Sequence, residues 1–299
     1  MRKFDFKKID AFATSKSDGN PAGYIKLSSK DSINKDEMQR IAKELKGFVN
    51  EVGYIYRESD NTFSLKYYSS EREVEFCGHA TIAIMYDLIK NSKELMDRQV
   101  INIITNKGNL IVENKILSDD AVFIMSPTPE FRTVKIQSKE VADALNININ
   151  AIGNKFDSSI VNAGLETLII PINSLKSILS INPEIDTLRN FCIKVGIDII
   201  EVFCEETYDK KSNFRSRVFA PTFGYLEDPA TGSGNSAFGY YLIKNNLWKG
   251  DSLIIEQNGI KERYNIVKLR KGLDDDGNTR VLFGGGAITR IEGKYNLWT

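Results

Sequence analysis

The chain has 299 residues, 41% of them hydrophobic, with 40 basic and 40 acidic side chains and no long run of either sign. It is long enough to bury a core of domain size, and its balanced charge excludes the basic footprint of a nucleic-acid or membrane-surface protein. No apolar run approaches the roughly 18 residues of a membrane helix, and the opening MRKFDFKKIDAFATS holds no signal-like segment. A cytoplasmic protein with a small-molecule partner is expected. Cys77, Cys192 and Cys204 are odd in number, far apart and in no CxxC pair, which argues against a disulfide framework or a structural zinc site. The single histidine, His79, excludes metal sites built on two or three imidazoles, and no dense acidic cluster supports a carboxylate-only one, so no metal is expected.

In chain order, RKFDFKKIDAFA and AGYIKLS read as strands around an SDGNP turn, and KDEMQRIAKELK has helical periodicity with an acidic first turn. EVGYIYRES and NTFSLKYYSS read as a hairpin joined through Asp60 and Asn61. After Cys77, the residues Ile82, Met85, Tyr86 and Ile89 recur at helical spacing, which puts His79 in the first turn of a helix. VINIITNKGNLIVENK and DAVFIMSPTPE return to strand, and the two prolines of SPTPE close a first half at residues 1–129. The remainder, 130–299, forms a second half whose last strand is free to return to the first. Within it, DDDGNTR resembles the opening of a calcium loop but lacks its closing glutamate, and flanking strands make it a hairpin turn. GGGAI is followed by strand rather than helix, so it reads as a sheet turn and not a phosphate loop. SAFGYYLIKNNLW reads as a core helix.

The second half repeats the first. NAGLETLIIPI follows NPAGYIKLS, FCIKVGIDIIEVFCEE follows IAKELKGFVNEVGYIYRE, and GSGNSAFGYYLI matches GHATIAIMYDLI at five of twelve places. The offset grows from about 142 to 154 residues, as modest loop insertions make it. In each half a glycine turn leads into a helix whose first N–H groups lack intrahelical partners and carry partial positive charge. Such helix starts bind carboxylates. If they face a shared cleft, an anionic substrate sits between CGHA and TGSG, with Gly78, Gly232 and Gly234 allowing close backbone approach.

DAFATSKSDGNPAGYI, MQRIAKELKGFVNEVGYI, YYSSEREVEFCGHATIAI and RVFAPTFGYLEDPATGSGNSAFGYYL resemble, in that order, the signatures of the PhzF family of phenazine-biosynthesis-like isomerases. The resemblance implies an α+β, diaminopimelate epimerase-like fold of two pseudo-symmetric halves, each a curved mixed sheet wrapped round a central helix. It also implies a homodimer and proton-transfer isomerisation of a small anionic or amino-acid-like substrate without a cofactor. By that resemblance Glu51 is the acid and base, His79 and Asp228 are the other polar groups beside the substrate, and Gly78, Gly232 and Ser233 supply carboxylate donors. A carboxylate desolvated in a closed cleft is expected to have a raised pKa, suited to taking and returning a proton.

Bland readings compete at each position. Glu51 in a strand run is ordinarily solvated, His79 at a helix start is ordinarily a cap or core residue, Cys77 a small buried one, and Asp228 before Pro229 a turn former. The late segment EQNGIKERYN departs from the family's glutamine-glycine and glycine-arginine pattern, which leaves the ligand open. Two alternatives accompany the isomerase. One is an epimerase or racemase of the same fold, which is expected to use paired cysteines where this chain has Cys77 and then Thr231 and Ser233. The other is a binding protein without turnover.

Overall fold

The computed structural model describes residues 1–133 and 136–298. In chain order the elements are β1 (Arg2–Ala11), β2 (Asn20–Lys26), α1 (Lys35–Glu44), β3 (Glu51–Ser59), β4 (Thr62–Ser69), β5 (Glu73–Val74), α2 (Gly78–Lys90), α3 (Lys93–Met96), β6 (Val100–Thr105), β7 (Gly108–Lys115), α4 (Ile116–Asp119) and β8 (Ala121–Met125). They continue as β9 (Glu130–Arg132), α5 (Ser138–Leu145), β10 (Ser159–Asn162), β11 (Glu166–Pro171), α6 (Leu175–Ser180), α7 (Ile185–Val195), β12 (Ile199–Cys204), β13 (Phe214–Phe219) and β14 (Glu227–Asp228). The last are α8 (Gly232–Lys244), β15 (Ser252–Gln257), β16 (Asn265–Leu273), β17 (Thr279–Gly285) and β18 (Ala287–Leu297). Two compact units result, Met1–Met125 with Gly284–Thr299, and Ser126–Phe283.

Strand pairing in the two units is the same. In the first, β1 pairs antiparallel with β2, β2 parallel with β3, β3 antiparallel with β4, β4 antiparallel with β5 and parallel with β6, and β6 antiparallel with β7. In the second, β10 to β16 repeat each of these pairings in the same sense. One further strand joins the first strand of each repeat: β18 pairs antiparallel with β1, and β9 antiparallel with β10. Duplication read from three short sequence matches is thus carried by the whole hydrogen-bond ladder.

Each unit encloses one helix. Residues Ala80–Ile89 of α2 are buried without a break, and the helix lies against β1, β2, β3, β8 and β18. A helix apolar on every face is stable only when surrounded. The corresponding α8 is also 13 residues long, is buried from Gly234 to Leu242, and packs on β10, β11, β12 and β16. The rings of Phe203, Phe214, Phe238 and Tyr241 interlock there, so the aromatic helix is core, as expected. By contrast α1 is amphipathic. An Asn34–Glu37 capping box starts it, and Met38, Ile41 and Ala42 pack with Val52, Tyr54 and Tyr68 from the sheet.

The DDDGNTR segment is a turn, closed by Asp274 N–H donating to Asn278 O and Gly277 N–H donating to Asp274 O, with Gly277 at φ 79°. GGGAI differs from its reading as a turn. Gly284, Gly285 and Gly286 all avoid positive φ, and only Gly286 interrupts the extended chain from β17 into β18. Close packing explains the glycine: a Cβ on Gly284 would lie 2.1 Å from the Val122 carbonyl oxygen. Gly284→Ala should therefore lower unfolding free energy by about 1–3 kcal/mol or more. Gly293→Ala, where a Cβ meets nothing within 4 Å, should stay within about 0.5 kcal/mol of wild type. Urea titration of the two variants decides this, and equal midpoints would contradict the packing account.

Candidate active site

The first unit brings Glu51, Cys77 and His79 together at the start of α2. Parallel pairing of β2 with β3 begins at Ala22 opposite Glu51, which places the glutamate at the head of its strand. Cys77 is the residue before the helix, with extended backbone, and no side chain caps the first turn. Thr81 fastens this end by donating from Oγ1 to the Cys77 carbonyl at 2.7 Å and accepting from the Tyr67 hydroxyl at 2.7 Å. His79 Nε2 then lies 3.2 Å from Glu51 Oε2, and Cys77 Sγ lies 3.4 Å from His79 Nδ1. Glu51 Oε2 is buried and has no hydrogen-bond partner of good geometry, with His79 Nε2 beside it at 3.2 Å. Orphaned carboxylate oxygens are rare in protein interiors and mark places where something else binds.

Electrostatics here reverse one expectation. Burial pushes the Glu51 carboxyl up, but the contact and charge of His79, with help from Cys77, outweigh it and leave Glu51 below its ordinary value. Burial likewise works against a charged His79, and its contacts with Cys77 and Glu51 more than offset that, so the imidazole is raised well above its usual range. The Cys77 thiol is pushed up, by burial first, with His79 opposing. The directions for Glu51 and His79 together favour a carboxylate beside an imidazolium, with Cys77 against the ring. Desolvation was the only effect legible in sequence, since the neighbouring cation is brought in by the fold.

The second unit gathers Asp228, Gly232 and Ser233 within residues 228–233. Asp228 ends β14 opposite Val218, and its Oδ1 accepts from Ala230 N–H at 3.4 Å. Thr231 precedes α8 as Cys77 precedes α2, again with no side-chain cap. A Cβ on Gly232 would meet the Phe283 ring at 2.5 Å, so packing alone requires glycine at that position. Gln257 holds the loop with its whole amide. Oε1 accepts from Thr231 N–H at 3.0 Å and Asn235 Nδ2 at 2.7 Å, while Nε2 donates to the Asp228 carbonyl at 3.0 Å and to Thr231 Oγ1 at 3.2 Å. The atypical EQNGIKERYN segment thus carries the brace of the EDPATGS loop.

Glu201 is a further buried carboxyl in the second unit, not legible as a functional residue from the sequence. Strand register makes it the counterpart of Gly53: Gly53 faces Tyr67, which faces Val74, as Glu201 faces Val218, which faces Asp228. It is fully buried, neither carboxyl oxygen has a hydrogen-bond partner, and a Cβ on Gly234 of α8 would lie 2.8 Å from Oε2. A lone glutamate inside the apolar run IIEVF was the available signal. Burial pushes its carboxyl well above the usual range, with Ser216 opposing and Asp228 adding to the rise.

A family profile described as phenazine biosynthesis-like protein matches residues 9–293. The chain belongs to this family. An uncharacterized isomerase of Clostridium acetobutylicum is 30% identical, over 99% of both chains. The crystal structure of a PhzF-family phenazine biosynthesis protein of Bacillus anthracis superposes with a TM-score of 0.86 at 23% identity, covering 99% of this chain and 100% of that one. More distantly, a hydroxyproline epimerase of Agrobacterium vitis superposes with a TM-score of 0.57 at 13% identity over 99% and 91% of the two chains, a likeness of fold alone. The fold is α+β and diaminopimelate epimerase-like, and the chain is an isomerase of the phenazine biosynthesis-like family.

Glu201 sets a pH dependence whose sign is fixed. A carboxyl raised in the fold keeps its proton there after the unfolded chain has lost it, so its contribution is complete below about pH 4.3 and declines as pH rises towards the folded value. Glu201→Gln should gain stability over wild type between pH 5 and pH 8, by up to about 1.4 kcal/mol per pH unit. Urea unfolding of both proteins across that range measures it, and a constant difference would mean that Glu201 titrates normally.

Proposed function

We propose that the protein is a cofactor-independent isomerase that moves a proton on a small carboxylate or amino-acid-like substrate, with Glu51 as both base and acid. The observation that carries this reading is Glu51 Oε2, a buried carboxylate oxygen with no hydrogen-bond donor, 3.2 Å from the only imidazole in the chain. A base must be ionised before it can act, and His79 keeps Glu51 so. In the first step a substrate C–H bond breaks. Its proton goes to Oε2 and its electron pair spreads into the adjoining unsaturated system. The cationic His79 ring, beside Glu51, can stabilise the charge forming on the substrate. Oε2–H returns the proton at a second carbon, and Glu51 is regenerated without an oxidant or reductant.

Each unit offers a helix start suited to a carboxylate, with the Gly78 amide in the first and the Gly232 and Ser233 amides and Ser233 hydroxyl in the second, where Asp228 is suited to an amine or hydroxyl. Support comes from α2 and α8, neither of which has a capping side chain or an acidic residue in its first turn. The epimerase alternative calls for a second thiol, and the residue corresponding to Cys77 is Thr231.

Incubation in heavy water with a panel of unsaturated amino acids and cyclic carboxylates, followed by chromatography and mass spectrometry, tests the proposal. Wild type should form a new isomer, and Glu51→Gln should lower kcat by about 10²–10⁴-fold while substrate affinity changes little. Isomer formation is followed as well as deuterium uptake, because a shielded carboxyl can carry one proton internally. Full turnover by Glu51→Gln sinks the assignment, and loss of turnover in Cys77→Ser instead would favour the epimerase. Binding by both proteins with no turnover by either would favour a binding protein. Ser233→Ala is expected to raise KM several-fold with kcat nearly unchanged, which steady-state kinetics on the substrate so found would read.

A further inference from the structure

Glu51, Cys77 and His79 are the one group of three His, Cys, Asp or Glu side chains whose ligand atoms converge among the described residues, all within 4.8 Å of one another. Their separations have a second meaning beyond proton transfer. A tetrahedral zinc ion with bonds of about 2.3 Å to sulfur and about 2.0–2.1 Å to nitrogen and oxygen holds its ligand atoms roughly 3.3–3.6 Å apart. Here Nε2 of His79 is 3.2 Å from Glu51 Oε2 and 3.9 Å from Cys77 Sγ. Cys77 Sγ lies nearer Nδ1, at 3.4 Å, than Nε2, so one ion shared by all three calls for a turn of the imidazole ring or of the Cys77 side chain as well as small shifts. One thiolate, one imidazole and one carboxylate form a donor set suited to zinc, which leaves a fourth position for water.

We propose that Glu51, Cys77 and His79 form a binding site for a borderline-soft divalent cation of the zinc type, and that the bound ion switches the isomerase off. Cys77 supplies the selectivity, because thiolate favours zinc over magnesium or calcium. On binding, the Cys77 thiol and the imidazolium each release a proton, and three ligand-to-metal bonds form with no change of oxidation state. Inhibition rests on the proton-transfer role of Glu51 and His79, since the ion occupies the carboxylate oxygen and ring nitrogen that the reaction uses. Metal binding itself does not. The set is hidden in the sequence because it mixes one cysteine, one histidine and a glutamate that β3 brings to the start of α2.

Cobalt(II) is the probe, titrated into the full-length, thiol-reduced protein in metal-free buffer. One equivalent should produce a saturable thiolate-to-cobalt charge-transfer absorption with the strong visible bands of a four-coordinate ion, and zinc should bleach both. Cys77→Ser should abolish the charge-transfer band, and His79→Gln should weaken cobalt binding at least ten-fold. The double variant Cys192→Ala, Cys204→Ala should keep the spectrum. Absence of the band, or its survival in Cys77→Ser, overturns the site. If Cys77→Ser does not fold, His79→Gln decides: unchanged cobalt affinity overturns the site and a weakened one supports it. Turnover with zinc is read separately. A cobalt spectrum without inhibition supports the metal site and counts against Glu51 and His79 as the reacting pair. Inhibition without the spectrum overturns the metal site.

Discussion

Burying a helix on every side confines its unpaired backbone groups to its two ends. The side chains of α2 from Ala80 to Ile89 are enclosed, and its first-turn N–H groups, with the residues beside them, are the end that offers donors to an anion. Much of the first unit follows from that constraint. The sheet surrounds the helix, the β2–β3 pairing delivers Glu51 to the helix start, and Cys77 and His79 occupy the two sides of the opening glycine. A carboxylate in that position gains from the cationic ring at 3.2 Å more than it loses to burial.

The same scaffold is used twice with different chemistry. Where the first unit has Gly53 on its third strand, the second has Glu201, and the helix opposite has given up its side chain at Gly234 to accept the carboxyl. Where the first has Cys77 and His79, the second has Thr231 and Ser233, which bring neither a ready thiolate nor an imidazole. Acid–base capacity is therefore concentrated at the start of α2. The start of α8 keeps short side chains and a loop pinned by Gln257, features suited to holding a ligand in one orientation.

Periodicity and turn chemistry made most elements legible. The hairpin through Asp60 and Asn61, the capped helix after Asn34 and the helix after Cys77 all obey local rules that a single sequence displays. Duplication was visible because α2 and α8 carry the same small-residue start and apolar body. What stayed hidden depends on register. Glu201 lies in an apolar strand, and only the packing of α8 on that strand shows that its carboxyl faces Gly234. Cys77 looked like packing until the fold set its sulfur 3.4 Å from the ring. The GGGAI stretch misled because glycine runs suggest reversal, whereas Gly284 is needed for an extended backbone pressed against Val122.

The proton-transfer reading depends on Glu51 and His79 being an ion pair in the resting state. The chain contains one histidine, so the ring signals in a nitrogen-15 NMR titration belong to His79 alone. A pH series on wild type and Glu51→Gln measures the pair directly. The imidazole should stay protonated well above its ordinary value of about 6.5 in wild type and titrate lower once the carboxylate is gone. A ring that titrates at or below that value in wild type, or that is indifferent to the loss of Glu51, would contradict the account.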